Sequence, residues 1–534
     1  MARNNSETTS SSRSTHKIRS SDIANVLSHR LRDEQEEYLV RWRTQTPTAS
    51  SLRQAICSWH GLSELTRALH HVQRYVEARA RAAPPSRGAV GNISAVPSKR
   101  KRSSPNDEAT LSRDAELGII TPSHSSDRSR ATSAIPSETA EEAVHVYNGV
   151  LERKEGWIGA KKSKRVPTVE IDATTLPTPH MMEEASATPT KQAARFIREA
   201  FQRKLRRVGN LSLVNEVDST APSLEFQFVN AYVLGDGVYR ADPDTYEGCQ
   251  KPCRPNMGQH IGCELPRACG CLEYAAVDED ALRRDEPQRH AEYALQMKEG
   301  AFVDRTNLPK RFPYKRPQGE HRPQTLQRFY LESRHAIYEC NVNCNCGPAC
   351  KSRVVQKGRR VPLTIFKTPN RGWGVRCSEK LVEGQFIDTY LGELITNDEA
   401  EQREQAGPKD KASYLYSLDK FVGDASDITA DNCFVVDGQH KGGVTRFINH
   451  SCEPNCRQYT VSFNKYDARV YDLAFFAIED IPAGKELTFD YLDKDEEEEE
   501  EVIAKREEAA LDPGNMDKVL CNCGATKCRG FLWV

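Results

Sequence analysis

The sequence predicts several small folded units in place of one large core, with metal ions holding part of the C-terminal half together. Three observations lead there. At 534 residues the chain is long enough for about three or four domains. Only 38% of its residues are hydrophobic, polar for a fully globular chain, so part of it is expected to stay disordered. Twelve of its 17 cysteines fall in bursts, in a chain whose Ser/Thr/Arg-rich N-terminus has no apolar secretory core. An intracellular, reducing location follows, where cysteines serve metals more often than disulfides. No apolar run reaches the ~18 residues of a membrane span, so no membrane partner is expected.

Residues 1–20 read as disordered. The next element spans 21–81. Tyr38-Leu39-Val40-Arg41-Trp42 reads as a strand, and Leu62, Leu65, Leu69, Val72 and Val76 recur at helical spacing as one apolar stripe. Through EYLVRW (37–42) and SWHGLSEL (58–65) this stretch resembles a chromodomain, a short sheet closed by a C-terminal helix. Chromodomains hold methyl-lysine in an aromatic cage by cation–π attraction. The resemblance implies Trp42 as one cage wall, with Ser21 and Gln45 at the other two wall positions. The plainer reading of Trp42 and of Trp59 is core.

Residues 82–195 are rich in Ser, Thr, Pro, Ala and charge and read as a linker. The formal net charge is −1, yet it is segregated: PSKRKR (97–102) and KKSKR (161–165) lie here, and six glutamates, Glu496–Glu501, lie near the end. The basic clusters suit nuclear import or contacts to nucleic-acid phosphates, although each alone reads equally as a solvated charge run. A basic amphipathic helix is expected from Phe196 (FIREAFQRKLRRV).

Cys249, Cys253, Cys263, Cys269 and Cys271 form one burst. Cys340, Cys344, Cys346 and Cys350 form another, as C-x3-C-x-C-x3-C. Zinc prefers four ligands, so nine thiolates leave a remainder in separate sites. Three ions in a triangle need twelve coordination slots, which three bridging and six terminal cysteines fill. Two four-cysteine sites with a spare thiol satisfy the same spacing, while the C-x-C steps favour the cluster. Residues 272–339, between the bursts, are expected to be a surface excursion.

Preceded by VNEVD and FQFVNAY (within 214–232), these cysteines resemble the pre-SET region of histone lysine methyltransferases of the suppressor-of-variegation class, which act on histone H3 lysine 9. The first step here is Cys249-x3-Cys253, where the family opens with C-x-C. The match continues through NRGWGVR (370–376), TYLGELIT (389–396), SYLYSLD (413–419), RFINHSCEPN (446–455) and ELTFDY (486–491), in the order of a SET domain. The resemblance covers about residues 196–534. It implies a mainly β fold of short sheets with short helices (α+β), the C-terminal segment threaded through a loop like a pseudoknot. The domain limits it implies are 196–355 for the flanking helix and pre-SET cluster, 356–492 for the SET domain, 493–518 for an acidic loop and 519–534 for a post-SET tail.

The implied reaction is displacement by a lysine amine at the sulfonium methyl of S-adenosylmethionine. The amine must be neutral, yet a free lysine has a pKa of about 10.4. A dry aromatic channel beside a sulfonium disfavours the ammonium, so tyrosines and phenylalanines are expected around the reacting atoms. By resemblance Gly372, Trp373 and Gly374 form the cofactor loop, the glycines allowing close backbone approach. Tyr414, Arg446, Asn449 and His450 surround the cofactor. Tyr491 is the central catalytic tyrosine, Tyr390 its partner, and Phe489 the residue that tunes the product toward di- and trimethyl-lysine. Phe447, Asp419 and Trp533 line the substrate channel, Asp419 meeting the arginine before the target lysine.

Cys521, Cys523 and Cys528 end the chain as C-x-C-x4-C, one ligand short of a tetrahedron. The family's post-SET site borrows its fourth ligand from the NHSC motif, here Cys452. Zinc is thus expected three times in the pre-SET cluster and once in the tail, and Cys456 has no assigned role. The implied partners are the histone H3 tail and nucleosome in nuclear chromatin, with heterochromatin as the setting. A catalytically silent scaffold, or a methyltransferase for another lysine or a non-histone protein, is the alternative.

Overall fold

The computed structural model describes residues 18–43, 57–82, 150–154, 157–161 and 176–250. It also describes 253–491 apart from 255–266, 268, 300–302, 304, 316–322, 349, 407–413 and 423–427, and finally 519–533. Two compact units divide the chain, residues 1–189 and 190–534.

In the first unit, strands Ile23–Arg32, Gln35–Trp42 and Cys57–Gly61 form an antiparallel sheet in that order, followed by the helix Leu69–Ala82. Asp33 and Glu34 join the first two strands with φ of 47° and 60°, the turn hand that matches strand twist. Trp42 is 5% exposed and its indole N–H donates to Ser58 Oγ at 2.8 Å. It is therefore a core residue and not a cage wall. Ser21 is exposed, and Gln45 lies outside the described residues. A second difference concerns the expected linker. Leu176 and Met181, the latter on the helix Pro179–Ala187, join Leu39, Cys57 and Trp59 in one buried cluster. Ser28 Oγ donates to Met181 O at 3.2 Å. The apolar residues at 176, 181 and 185 are few, and sequence composition hid them among polar neighbours.

The second unit opens with the helix Lys191–Val208, five residues earlier than its sequence stripe suggested. Ala193, Ile197, Phe201 and Leu205 recur every four residues and are its buried face. Short strands follow. One five-stranded sheet runs in the order 449–450, 486–489, 373–377, 363–367, 211–214. A four-stranded sheet runs 337–338, 456–462, 472–477, 386–390, and another runs 415–417, 434–437, 393–396, 233–234. Most strands are too short to stand alone, so stability rests on how the sheets share cores, as in the cluster of Tyr314, Leu326, Ile337, Phe386, Tyr459 and Phe476.

The threading sits in the first of these sheets. The strand Glu486–Phe489 runs antiparallel to Trp373–Cys377 (Val375 opposite Leu487) and parallel to Asn449–His450 (Asn449 opposite Thr488). Asn455 pins the crossing: its Nδ2 donates to Glu486 O at 2.8 Å, and its Oδ1 accepts from Thr488 N at 2.9 Å. The excursion between the cysteine bursts also departs from expectation. It carries helices Glu279–Asp285 and Pro287–Lys298 over a small core of Val277, Leu282, Tyr293 and Leu308.

Candidate active site and metal centres

The crossed strands open a cleft of about 1150 Å³ walled by residues 370–373, Tyr390, Tyr414–Tyr416, 445–450, Phe489, Tyr491 and tail residues 520–523. Two tyrosines face it. Tyr491 O–H donates to Ile448 O at 2.8 Å, and Tyr390 O–H donates to Tyr414 O at 2.8 Å. Burial is the first cause that pushes both phenols far above their ordinary pKa. Both are thus neutral near pH 7, with their protons spent on carbonyls, so the oxygens can only accept from an incoming group. Phe489 lies between Phe475, which it meets edge-on (4.9 Å between centroids), and Tyr491, which it meets at a tilt (4.8 Å). Gly438 is required by this arrangement, because a Cβ there would lie 2.6 Å from Tyr390 Oη.

The two glycines of the 370–376 loop have different jobs. Gly372 has φ 70° and open space where a side chain would stand, which fits close approach of a ligand. Gly374 instead makes room for protein. A Cβ there would meet Glu486 Oε1 at 2.7 Å and Asn449 Nδ2 at 3.1 Å. Sequence reasoning missed Glu486. Its carboxylate accepts from Arg371 Nη2 at 2.5 Å and from Asn449 Nδ2 at 2.9 Å, and Arg371 Nη1 donates to His450 O at 3.2 Å. Asn449 thus turns its amide to Glu486. The Arg446 guanidinium lies over three rings, 4.2 Å from Tyr414 and 4.7 Å from Phe226 and from Phe447. Its Nε is buried without a hydrogen-bond partner. An open cleft lined by a bare glycine turn and a caged, unsatisfied arginine fits a ligand with an anionic end.

His450 joins this cleft to the tail. The Tyr491 amide donates to His450 Nδ1 at 3.1 Å, which leaves the ring proton on Nε2, 3.3 Å from Cys452 Sγ. Burial lowers its pKa to about 4, so the ring is neutral. Its side chain is a bridge between Tyr491 and Cys452. The Sγ atoms of Cys452, Cys521, Cys523 and Cys528 lie within 4.8 Å of one another, the four-thiol set that zinc takes. Arg529 closes the loop, donating from Nη2 to Asp490 at 2.6 Å and from its amide to Cys452 Sγ at 3.4 Å. Cys456 is a fully buried core thiol beside Asn455 Oδ1 (3.2 Å).

Three further thiol sets share members: Cys249, Cys271, Cys340 and Cys344; Cys249, Cys253 and Cys269; Cys340, Cys346 and Cys350. Sharing of Cys249 and Cys340 favours the cluster over separate sites. Cys263 lies outside the described residues, as does the acidic segment 493–518. Of the expected channel residues, Phe447 lines the cleft, and Asp419 is exposed past the strand Leu415–Ser417 and does not. Trp533 sits in the strand Phe531–Trp533, paired with Val519–Leu520, and its side chain lies outside what the structure describes. Phe226, Asn455 and Glu486 each fall inside a quoted motif (FQFVNAY, RFINHSCEPN and ELTFDY), yet their roles are not legible there, since each acts on residues far away in the chain.

Two family descriptions match: the Pre-SET motif over residues 204–353 and the SET domain over 372–492. Fold and cleft thus define a SET-domain protein with a cysteine-rich pre-SET region. The H3 lysine-9-specific methyltransferase KMT1 of Fusarium mangiferae is 38% identical over 328 residues, 60% of this chain and 88% of that protein. The H3 lysine-9-specific methyltransferase dim-5 of Neurospora crassa is 37% identical over 330 residues, with the same coverage of 60% and 88%. The solved Neurospora SET domain protein DIM-5 is 35% identical, with a TM-score of 0.42 over 54% of this chain and 97% of that one. The chain belongs to the SET-domain histone-lysine N-methyltransferases.

Proposed function

We propose that the chain transfers methyl groups to lysine 9 of the histone H3 tail, in nuclear heterochromatin, and that its products are di- and trimethyl-lysine. S-adenosylmethionine, when bound, supplies an electrophilic sulfonium methyl. The turn at Gly372, with Trp373, Tyr414, Arg446 and the 449–450 backbone, holds it. Tyr491 and Tyr390 accept hydrogen bonds from the lysine nitrogen and its methyl groups, keeping the lone pair in line. Neither tyrosine is a base, because burial and a carbonyl partner keep each phenol protonated. The lysine gives up its proton to solvent water before transfer, because the aromatic wall and the adjacent sulfonium charge disfavour the ammonium form. Phe489 has no hydroxyl to fix a water, which leaves room for successive methyl groups. Asp419 and Trp533 serve the peptide side of the channel.

The single observation that carries this reading is the Tyr491 hydroxyl, anchored on Ile448 O at 2.8 Å in the wall of the cleft. Histone octamer incubated with labelled cofactor, followed by mass-spectrometric mapping, tests it. Label at lysine 9 of histone H3 is expected, and it should vanish when that lysine is replaced by arginine. Incorporation elsewhere with that lysine untouched sinks the assignment.

The metal reading is three zinc ions in the pre-SET cluster and one in the tail. The three shared sets account for ten of the twelve slots that three tetrahedral ions need, with Cys249 and Cys340 counted twice. Two slots and one thiolate remain. Cys263 fills both only as the third bridge, between the set of Cys253 and Cys269 and the set of Cys346 and Cys350. Elemental analysis should find four zincs per chain.

A further inference from the structure

We propose that Phe226, supplied by the segment ahead of the cysteine-rich region, is a positioning residue for methyl transfer: its ring face holds the Arg446 guanidinium at the cofactor cleft. The inference rests on the reading of that cleft as the S-adenosylmethionine site.

Arg446 has no carboxylate partner among the described residues. Its cation is held by rings, with Tyr414 at 4.2 Å and Phe226 and Phe447 at 4.7 Å. Its Nε is buried without a partner while the residue as a whole is half-buried at the cleft wall, and a cation partly shielded from water gains more from a ring face than a fully exposed one. Such an arginine is neutralised by no salt bridge, so its N–H groups stay available to a ligand. Tyr414 and Phe447 come from motifs that wall the cleft. Phe226 comes from 220 positions upstream of Arg446 and does not line the cleft at all.

Phe226 is built to be immobile. It is 2% exposed and meets Phe228 edge-on (5.0 Å, 88°), and Phe228 meets Phe201 of the helix Lys191–Val208 at 5.9 Å. Gln227 N donates to His440 O at 2.8 Å and Val229 N to Gly442 O at 3.0 Å, which fixes the strand on both sides. Lys204 Nζ, from the same helix, donates to Phe226 O at 2.9 Å. A line of aromatic contacts therefore runs from that helix to the arginine, which gives the flanking helix a place in cofactor binding.

The test separates ring electrostatics from packing. The para carbon of Phe226 faces Gly442, where an added Cβ would stand 3.4 Å away, so the para position is left unsubstituted in the test. Fluorine at the two meta positions keeps the shape and weakens the negative ring face. Binding of S-adenosylhomocysteine to the full chain is measured by calorimetry, beside KM values and thermal melts. Phe226→Leu is expected to weaken binding about three- to tenfold, and 3,5-difluorophenylalanine about twofold, with the melting temperature of the fluorinated protein unchanged. KM for the H3 peptide should stay within about twofold. In an Arg446→Gln background, neither change should weaken binding further. Unchanged affinity in the fluorinated protein, or an equal loss with and without Arg446, overturns the proposal. Failure of the unaltered chain to bind S-adenosylhomocysteine would instead overturn the cofactor reading beneath it.

Discussion

The two thiol clusters share a ligand chemistry and differ in position. In the pre-SET region the eight described thiols are buried, two of them belong to two sets each, and none lines the cleft. In the tail all four thiols are half-exposed, and Cys521 and Cys523 form part of the cleft wall. The first stands in for a hydrophobic core in a region of short strands. The second is a latch, tied through Cys452 and His450 to the backbone of Tyr491. The difference in location predicts two outcomes of metal loss, unfolding at the buried cluster and loss of activity at the tail.

Substituting a shared thiol is the harshest way to break that division. A structural zinc site is worth about 10–16 kcal/mol in apparent binding, as much as the ~5–15 kcal/mol net stability of a domain. Cys340→Ser removes a ligand from two sets at once. Loss of the cooperative melt and of all three cluster zincs is expected, with Cys344→Ser milder because it serves one set. A normal melt for Cys340→Ser would mean the cluster is not structural.

The tail should behave otherwise. Cys528→Ser is expected to lower kcat/KM at least about 100-fold, to remove one zinc, and to move the melting temperature by no more than ~3 °C. A melt as damaged as that of the cluster variants would erase the contrast. A mild chelator should reproduce the pattern, with activity falling before the fold.

Within the cleft the expected effects shrink. Tyr491→Phe should cost about 100-fold in kcat, with four zincs and the melt retained; a loss confined to KM would contradict the role of its hydroxyl. Phe489→Tyr should leave the first methyl transfer within about threefold while the product shifts to monomethyl-lysine. A mass spectrum with undiminished trimethyl-lysine would remove Phe489 from product control.

Much of the site is legible without any coordinates, and the reason is local. NRGWGVR, RFINHSCEPN and ELTFDY each carry their chemistry within about ten residues, so the motifs can be read one at a time. Where a residue's job depends on what crosses above it, such reading fails. Gly374 reads as a cofactor-facing glycine, yet its missing side chain makes room for Glu486 and Asn449. Trp42 has the residue type of a cage wall, and its burial, with a hydrogen bond to Ser58, makes it core. The segment 176–189 has the composition of a linker, yet Met181 is buried in the first unit.

By itself the sequence determined the ligand chemistry, the order of the motifs and the number of thiolates, because coordination numbers and near-neighbour spacing are properties of short stretches. Only the tertiary structure decided which cysteines are shared, that His450 serves Tyr491 and Cys452 through opposite sides of its ring, and that Phe226 lies against Arg446. Those relations join points up to hundreds of residues apart. They exist because the strand Glu486–Phe489 lies between the chain's own earlier strands, and a crossing of that kind leaves no period or spacing in the sequence to be read.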